Sequence, residues 1–369
     1  MGLGRLTRAV RVGGYAVRGA AAIVGQTVVG NRVARDVRVI HECIDLQNRL
    51  AKTPAYWRIV EASLRRRLPT YHAYMTTRHA DDLRRTALTV GAQIDRVLNA
   101  HRDEFLPYAD VNAAWVMSTG RVGVDALDRL LKTSPELFSI HREFKGEAFY
   151  ENDSAVTTKS LVFNRLLRGE ATDDELLQMT RRYLAVRLKT IARAGGRRLV
   201  FCEHHDEAWL PILVRVFPRS RIIHLYRSAA DTMQSYLAKG LYSDRQVVPL
   251  ELSAGHRLEF VSLFALVAWF CAFVNAYIAV HKAQIDPARV LDIRSAELLR
   301  QDPATLERLR QFLEATIRAD DYTRILSQRH NTKAGGESAF PQNGTWPGVF
   351  TEVTEIFGQA MPRELTDTM

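Results

Sequence analysis

The spacing of hydrophobic and polar residues divides this chain near residue 110. Over residues 33–102, apolar residues recur every three or four positions, which predicts helices throughout this segment. Leu68 and Pro69 predict a break within it, because a proline disfavours helix at the residue before it. The pattern therefore predicts an N-terminal arm over residues 1–32, a helical accessory segment over residues 33–110, and a third segment over residues 111–369.

From Val111 onward, short apolar runs alternate with helical stretches, which is typical of a sheet with crossover helices. Four runs are predicted to be strands, at residues 113–117, 199–202, 222–226 and 290–293. Each run is too apolar for a sheet with one face in water, so the strands should be parallel and covered on both faces. The predicted fold class is α/β, a central parallel sheet flanked by helices with an N-terminal helical segment.

Residues 260–280 carry no formal charge and are long enough to span a bilayer. Trp269, Asn275 and Tyr277 lie inside this stretch, however, and it falls between two predicted strands of the same sheet. The interpretation that agrees with the sheet is a buried core helix.

The chain is basic, with a formal net charge of +10 over 369 residues. Such a charge favours a polyanionic partner, whether a nucleotide, an acidic glycan, an anionic membrane or a nucleic acid. Nucleic-acid binding is not expected, because the sequence lacks interleaved aromatic residues, zinc-ligand spacing and a basic recognition helix. The low cysteine content, three residues in all, indicates a reducing compartment and hence a cytoplasmic protein.

The first 32 residues form a basic arm. It contains Arg5, Arg8, Arg11 and Arg18, and no acidic residue occurs before Asp36. Such an arm could rest on an anionic membrane, which would make the protein membrane-peripheral. A frayed terminus and a secretory signal are the alternatives that the residues leave open.

The first predicted strand leads into a glycine-containing loop and then a helix. The loop comprises Ser118, Thr119, Gly120, Arg121, Val122 and Gly123. Backbone N–H groups at a helix N-terminus bind phosphate, glycines allow close approach, and Arg121 would neutralise an anion. The spacing of the glycines and the lack of a Gly-Lys-Ser/Thr ending exclude a Walker loop, and a tight turn with a surface arginine is the alternative.

A second candidate element begins at the end of the strand predicted at residues 222–226. Arg227 follows this strand, at the edge where open α/β sheets bind ligands. Ser228 then begins a helix with Asp231 as its capping partner, and Ser235 lies about two turns further along. Arg227 and Ser235 could hold one phosphate from two directions, or could be an ordinary surface ion pair and a solvent-facing hydroxyl.

Together these motifs resemble the sulfotransferase superfamily, whose members use 3′-phosphoadenosine 5′-phosphosulfate. Its signature combines a strand-loop-helix for the 5′-phosphosulfate, here residues 118–123, with a strand-Arg-helix-Ser for the 3′-phosphate, here Arg227 and Ser235. Residues 290–303 are similar to the family's strand followed by an acidic residue and Asp-Pro, and Lys333 and Gly335 resemble its C-terminal basic loop. The resemblance implies a P-loop-like sulfotransferase fold and catalytic domain over residues 111–369, with no metal.

One position departs from this pattern. Family members usually follow the loop with threonines that bond the 5′-phosphate, whereas Val124 and Asp125 stand here. An aspartate beside a phosphate would repel it unless the side chain turned outward to cap the helix.

The resemblance also implies catalytic residues. Arg121 would stabilise the charge that develops on the bridging oxygen. Glu143 stands where glycan-modifying members carry their catalytic glutamate, and His205 stands where cytosolic small-molecule members carry their catalytic histidine. Glu143 is preferred, because Pro135 keeps the alignment in register, and His205 stays the alternative base. The neighbouring residues 203–206 are not expected to bind a metal, since consecutive side chains at a strand end cannot all reach one ion.

The function implied is transfer of a sulfuryl group from 3′-phosphoadenosine 5′-phosphosulfate to a hydroxyl or amine acceptor. Small molecules, glycans and lipids are the acceptor classes considered, with a glycan or glycolipid as the example that fits Glu143. The alternative is a sulfotransferase-fold binding or scaffold protein that has lost donor chemistry through Val124 and Asp125.

Overall fold

The structure is a computed structural model that describes residues 53–141, 166–167, 169–202, 209–239, 260, 263–328 and 346–358. Its centre is a five-stranded sheet in which every neighbouring pair is parallel. In chain order the strands are β1 (Ala113–Met117), β2 (Leu137–Ile140), β3 (Arg198–Phe201), β4 (Arg221–Tyr226) and β5 (Val290–Arg294). The order across the sheet is β2-β3-β1-β4-β5, which places β1 at the centre.

Helices precede the sheet and connect its strands. Between residue 53 and β1 the structure describes α1 (Pro54–Thr77), α2 (His79–Ala100) and α3 (Arg102–Phe105), followed by a 3₁₀ turn at Leu106–Tyr108. The helices between strands are α4 (Val124–Leu131), α5 (Asp173–Arg193), α6 (Leu210–Val216), α7 (Ala229–Lys239) and α8 (Leu263–Lys282). After β5 come α9 (Ser295–Leu299), α10 (Pro303–Leu313), α11 (Ala319–Leu326) and α12 (Trp346–Gly358).

The sheet has a hydrophobic core on each face, because successive side chains of a strand point in opposite directions. On β1, Trp115 and Met117 face the core shared with α1, α2, α5, α6, α8 and α12. Ala114 and Val116 face the other core, which α4, α10 and α11 cover. Trp115 also stacks on Phe201 of β3, with ring centroids 4.1 Å apart. The predicted α/β fold, with a parallel sheet covered on both faces, is confirmed.

The four predicted strands are present within one residue at each end, but the sequence did not predict β2. This strand pairs with β3 at the edge of the sheet. It is only four residues long and carries the buried polar residue Ser139, so its apolar run is too short to stand out. The alternation of Ser139 and His141 with Phe138 and Ile140 was the signal that could have identified it.

The predicted break at Leu68 and Pro69 is wrong. Helix α1 continues through Pro69 to Thr77, and α2 begins at His79. Leu64, Leu68 and Tyr71 are all buried, and α1 packs along α12. Burial of this apolar face outweighs the hydrogen bond that proline cannot donate, since packing routinely overrides local propensity.

Among the helices that the structure describes, α8 is the one long and apolar enough to cross a membrane. In the structure 89% of its apolar window is buried inside the protein. It contacts β4 and helices α2, α6, α7 and α12. The helix therefore lies in the larger of the two cores, as the core-helix interpretation of the sequence expects.

A polar cluster joins the end of α8 to the sheet. Lys282 donates from Nζ to both carboxylate oxygens of Asp292, at 2.6 and 2.7 Å, and lies 3.5 Å from Nδ1 of His224. The other ring nitrogen of His224 lies 3.3 Å from Oδ1 of Asn275. Burial lowers the pKa of His224, so this imidazole is neutral and bridges α8 to β4 and β5.

The Asp292 carboxylate is predicted to stabilise the fold above acidic pH. Burial acts to raise the pKa of Asp292, but contacts with His224 and Lys282 outweigh it and lower the pKa to about 2. Because the folded pKa is below the unfolded one, this contribution is complete above about pH 4 and is lost as pH falls towards 2. Asp292→Asn should lower the free energy of unfolding at pH 7 by about 1–2 kcal/mol, since solvent screens the partly exposed carboxylate.

Urea unfolding of both proteins from about pH 7 to about pH 2.5 measures this effect, and the difference should shrink in the acidic range. In a Lys282→Met background, Asp292→Asn should lower the free energy of unfolding by less, because it no longer leaves the Lys282 ammonium without a counter-charge. A difference that stays constant with pH would contradict the assignment.

Candidate active site

The candidate site lies at the carboxyl edge of β1 and β4. These strands are neighbours, with Met117 opposite His224. Helix α4 leaves β1 towards one face of the sheet, whereas α7, which follows β4, packs on the opposite face against α8 and α12. Neighbouring strands whose helices diverge in this way open a crevice, and open α/β sheets bind ligands there.

The loop from β1 to α4, residues 118–123, is called the donor loop, after the role that the sequence resemblance implies for it. Ser118, Thr119 and Val122 are buried, so the loop is anchored in the protein on one side. Gly120, Arg121 and Gly123 have left-handed backbone conformations, with φ of 77°, 60° and 95°. The positive φ of Arg121 is unusual for a residue with a side chain and carries local strain, which is typical of functional sites.

Side chains from β4 and α7 hold the donor loop in place. Tyr236 donates from its hydroxyl to the carbonyl of Thr119 at 2.9 Å. Arg227 donates to the carbonyl of Arg121 at 3.3 Å, and the Arg121 guanidinium reaches the carbonyl of Ser235 at 3.5 Å. The two sequence motifs therefore meet, and Arg121, Arg227 and Ser235 lie together at the crevice.

Helix α7 begins as the sequence indicates. The Ser228 hydroxyl accepts a hydrogen bond from the backbone N–H of Asp231 at 3.1 Å, which caps the helix. This cap fixes the direction of α7 and places half-buried Ser235 on the helix beside the donor loop. The carboxylate of Asp231 lies 3.8 Å from the Arg227 guanidinium and holds it loosely.

Asp125 does not cap α4, which has no side-chain cap. Its carboxylate instead lies 2.5 Å from Nε2 of His141, the residue that follows β2. The other ring nitrogen, Nδ1, bonds the carbonyl of Cys202 at the end of β3. The sequence singled out Asp125 but missed His141, because β2 was not recognised and the two residues are distant in the chain.

The His141 ring is nearly buried, with a side-chain exposure of 7%. Burial acts to lower the pKa of His141, but the hydrogen bonds to Asp125 and Cys202 and the charges of Asp125 and Asp128 outweigh it, so the pKa is raised. These contacts therefore stabilise the imidazolium form of His141 beside the donor loop.

Four predicted site residues lie outside the described residues. They are Glu143, His205, Lys333 and Gly335. Their proposed roles stay predictions. Within the described ranges, no group of three or more His, Cys, Asp or Glu side chains is arranged to hold a metal ion.

A groove of about 600 Å³ lies at the opposite, amino edge of the sheet. Its lining includes Asn112, Glu136, Arg198 and Glu314, and none of the predicted donor-binding residues. Arg198 and Arg221 both pair with Glu314, so the local charges compensate one another. The groove is therefore separate from the crevice at β1 and β4.

A sequence profile of the sulfotransferase family matches residues 114–319, which is more than half of the 369-residue chain. The chain belongs to the sulfotransferase family. The match begins in β1 and ends where α11 starts, so it includes the donor loop, Arg227 and Ser235. The resemblance drawn from the motifs is confirmed, and the protein is a sulfotransferase enzyme.

Several solved sulfotransferase structures are similar to this chain. A sulfotransferase domain from the curacin biosynthetic pathway is 17% identical, with a TM-score of 0.37, over 62% of this chain and 82% of that chain. Sulfotransferase STF1 from Mycobacterium tuberculosis is 13% identical, with a TM-score of 0.41, over 74% of this chain and 83% of that chain. At these scores the superpositions carry no argument, and the family assignment depends on the profile match. No curated protein matches the chain.

Because Arg121 has a left-handed conformation, we expect Arg121→Gly and Arg121→Ala to differ in stability but to lose activity alike. Arg121→Gly should be more stable than Arg121→Ala by about 0.5–1 kcal/mol, because relief of strain of about 1–2 kcal/mol exceeds the added freedom of the unfolded chain. Both variants lack the guanidinium, so in both kcat for sulfuryl transfer should fall about 10²–10³-fold. Thermal unfolding and initial rates measure the two effects, and an active Arg121→Gly would show that the side chain is only structural.

Proposed function

We propose that this sulfotransferase takes its sulfuryl group from 3′-phosphoadenosine 5′-phosphosulfate and transfers it to a hydroxyl or amine acceptor. A glycan or glycolipid is the favoured acceptor, because Glu143 stands in the sequence where glycan-modifying members of the family carry their catalytic glutamate. The observation that carries the donor assignment is the meeting of Arg121, Arg227 and Ser235 at the crevice between β1 and β4. Two arginine side chains next to Ser235 at the carboxyl edge of a parallel sheet fit a ligand with separate phosphate groups.

The residues around the crevice divide between the two ends of the donor. The N–H groups at the start of α4 and the Arg121 guanidinium would hold the 5′-phosphosulfate. Arg227 and Ser235 would hold the 3′-phosphate, which distinguishes this donor from simpler adenine nucleotides. When bound, the donor supplies a sulfuryl group attached to a good leaving group. Arg121 keeps its charge at any working pH and would balance the charge that develops on the bridging oxygen.

The carboxylate of Asp125 was the feature that argued against donor binding. In the structure this carboxylate faces His141, whose raised pKa favours the cationic form. The negative charge next to the donor loop is therefore compensated. This supports an active enzyme over a sulfotransferase-fold scaffold protein, and absence of binding to 3′-phosphoadenosine 5′-phosphate would favour the scaffold instead.

Arg227→Ala tests the 3′-phosphate contact. If Arg227 holds this group, the variant should bind 3′-phosphoadenosine 5′-phosphate more weakly by about 1.5–3 kcal/mol, the range for a hydrogen bond to a charged group. Binding of 5′-AMP, which has no 3′-phosphate, should change much less. Isothermal titration with both nucleotides measures the difference, and equal losses would show that Arg227 supports the Arg121 carbonyl or another part of the site.

The general base is tested by comparing Glu143→Gln with His205→Asn. A base contributes about 10²–10⁴-fold to rate, so Glu143→Gln should lower kcat by that factor while affinity for 3′-phosphoadenosine 5′-phosphate stays near normal. His205→Asn should have a smaller effect. The acidic limb of kcat/KM should lie near about pH 4–5 for a carboxylate and near about pH 6–7 for an imidazole. The reverse pattern would identify His205 as the base and place the enzyme with the small-molecule branch.

A further inference from the structure

We propose that His141 is a positioning residue for donor binding. Its imidazolium neutralises the Asp125 carboxylate next to the donor loop, so affinity for the anionic donor depends on whether His141 is protonated. The inference rests on the proposed donor. It concerns a residue that the sequence motifs do not include, at the end of a strand that the sequence did not predict.

The hydrogen-bond geometry fixes the charge of His141. Nδ1 faces the carbonyl oxygen of Cys202, which can only accept, so Nδ1 must carry a proton. Nε2 faces the Asp125 carboxylate at 2.5 Å, and an aspartate is ionised at neutral pH, so Nε2 also donates. A ring that donates from both nitrogens is an imidazolium. The same engagement leaves neither nitrogen available in this arrangement to take a proton from an acceptor.

Asp125 stands where its charge matters to the donor loop. It is the second residue of α4 and follows Gly123, the residue in the N-cap position, by two positions. Its carboxylate therefore belongs to the first turn of α4, and the N-terminus of a helix is the end that attracts an anion. An uncompensated carboxylate there would repel phosphate and sulfate, whereas a carboxylate paired with imidazolium has no net charge.

A second contact holds α4 against β2 in the same register. One turn beyond Asp125, Asp128 accepts a hydrogen bond from the Ser139 hydroxyl at 2.7 Å and pairs with Lys132 at 2.7 Å. Ser139 and His141 point to the same face of β2, since they are two residues apart. Two acidic residues of α4 thus each have a partner on β2 or just after it, and of these two partners only His141, the partner of Asp125, can gain or lose a charge by protonation of a ring nitrogen.

Among the described residues, helix α4 and the end of β3 provide the charged and titratable groups near His141. Helix α4 provides Asp125 and Asp128, of which Asp128 is already paired with Lys132. The end of β3 provides Cys202, whose thiol lies 3.6 Å from the Ser139 hydroxyl. Since the pKa of His141 is raised, its charge is complete below the ordinary histidine value and is lost as pH rises through the higher folded value.

The experiment measures the dissociation constant of 3′-phosphoadenosine 5′-phosphate from about pH 6 to about pH 9 for four proteins. They are the wild type, His141→Gln, Asp125→Asn and the double variant. Wild-type affinity should fall as pH rises and His141 loses its charge. His141→Gln should bind about 5- to 50-fold more weakly at pH 7, the range of couplings between groups in contact, and the double variant should recover most of this loss. Asp125→Asn should bind at least as well as wild type, with a flatter pH profile.

Ser139→Ala provides the matched control. It removes the neighbouring hydrogen bond between α4 and β2 without changing charge, so it should leave the pH profile of binding as in the wild type. Thermal unfolding of every variant separates loss of folded protein from loss of affinity. Comparing profiles between variants also cancels titration of the nucleotide phosphates, whose second pKa is about 6.

The outcomes separate this inference from the donor assignment. Failure of the wild type to bind 3′-phosphoadenosine 5′-phosphate at any pH would overturn the proposed donor and this inference together. Binding with equal losses in His141→Gln and in the double variant would overturn the inference alone, because the role of His141 would then be structural. A Ser139→Ala profile that matches His141→Gln would lead to the same conclusion.

Discussion

The donor loop has to reverse the chain from the end of β1 into α4 within six residues, and the site depends on this reversal. Three left-handed residues, Gly120, Arg121 and Gly123, make the turn. Only two are glycines, so the conformation of Arg121 must be stabilised by its surroundings. The hydrogen bond from Arg227 to the Arg121 carbonyl and the bond from Tyr236 to the Thr119 carbonyl provide this support. The cation proposed for catalysis thus occupies a strained position that β4 and α7 maintain.

The rigidity of the support comes from the two cores of the sheet. Val122 is fully buried and packs in the core under α4, whereas Met117, just before the loop, lies in the core under α8. The loop is therefore fixed on both faces of the sheet. The polar cluster of His224, Lys282 and Asp292 joins α8 to β4 and β5, and so helps to fix β4, the strand that Arg227 follows.

Charge balance is the second constraint on the site. The chain has an excess of cations, yet an anion-binding loop is sensitive to the charges within its own turn rather than to the net charge of +10. Asp125 would oppose a phosphate from that turn. His141 reverses this effect because β2 and β3 bring its ring between the carboxylate and the Cys202 carbonyl. Burial acts to lower the pKa of His141, but the hydrogen bonds to Asp125 and Cys202 outweigh it, so the pKa is raised and the compensating charge is stabilised.

The sequence alone determined the class of fold, four of the five strands and the family, and it predicted the donor loop, Arg227 and Ser235 as the residues of the site. These features depend on local patterns, since apolar runs mark buried strands and a loop followed by a helix start has its own residue preferences. Tertiary structure decided the features that depend on contacts between residues distant in the chain. Helix continues through Pro69 because α1 packs along α12, and β2 exists because β3 pairs with it at the sheet edge. Asp125 and His141 meet for the same reason, since only the packing of α4 on β2 joins residues from two elements, and the energy of that contact is absent from either element by itself.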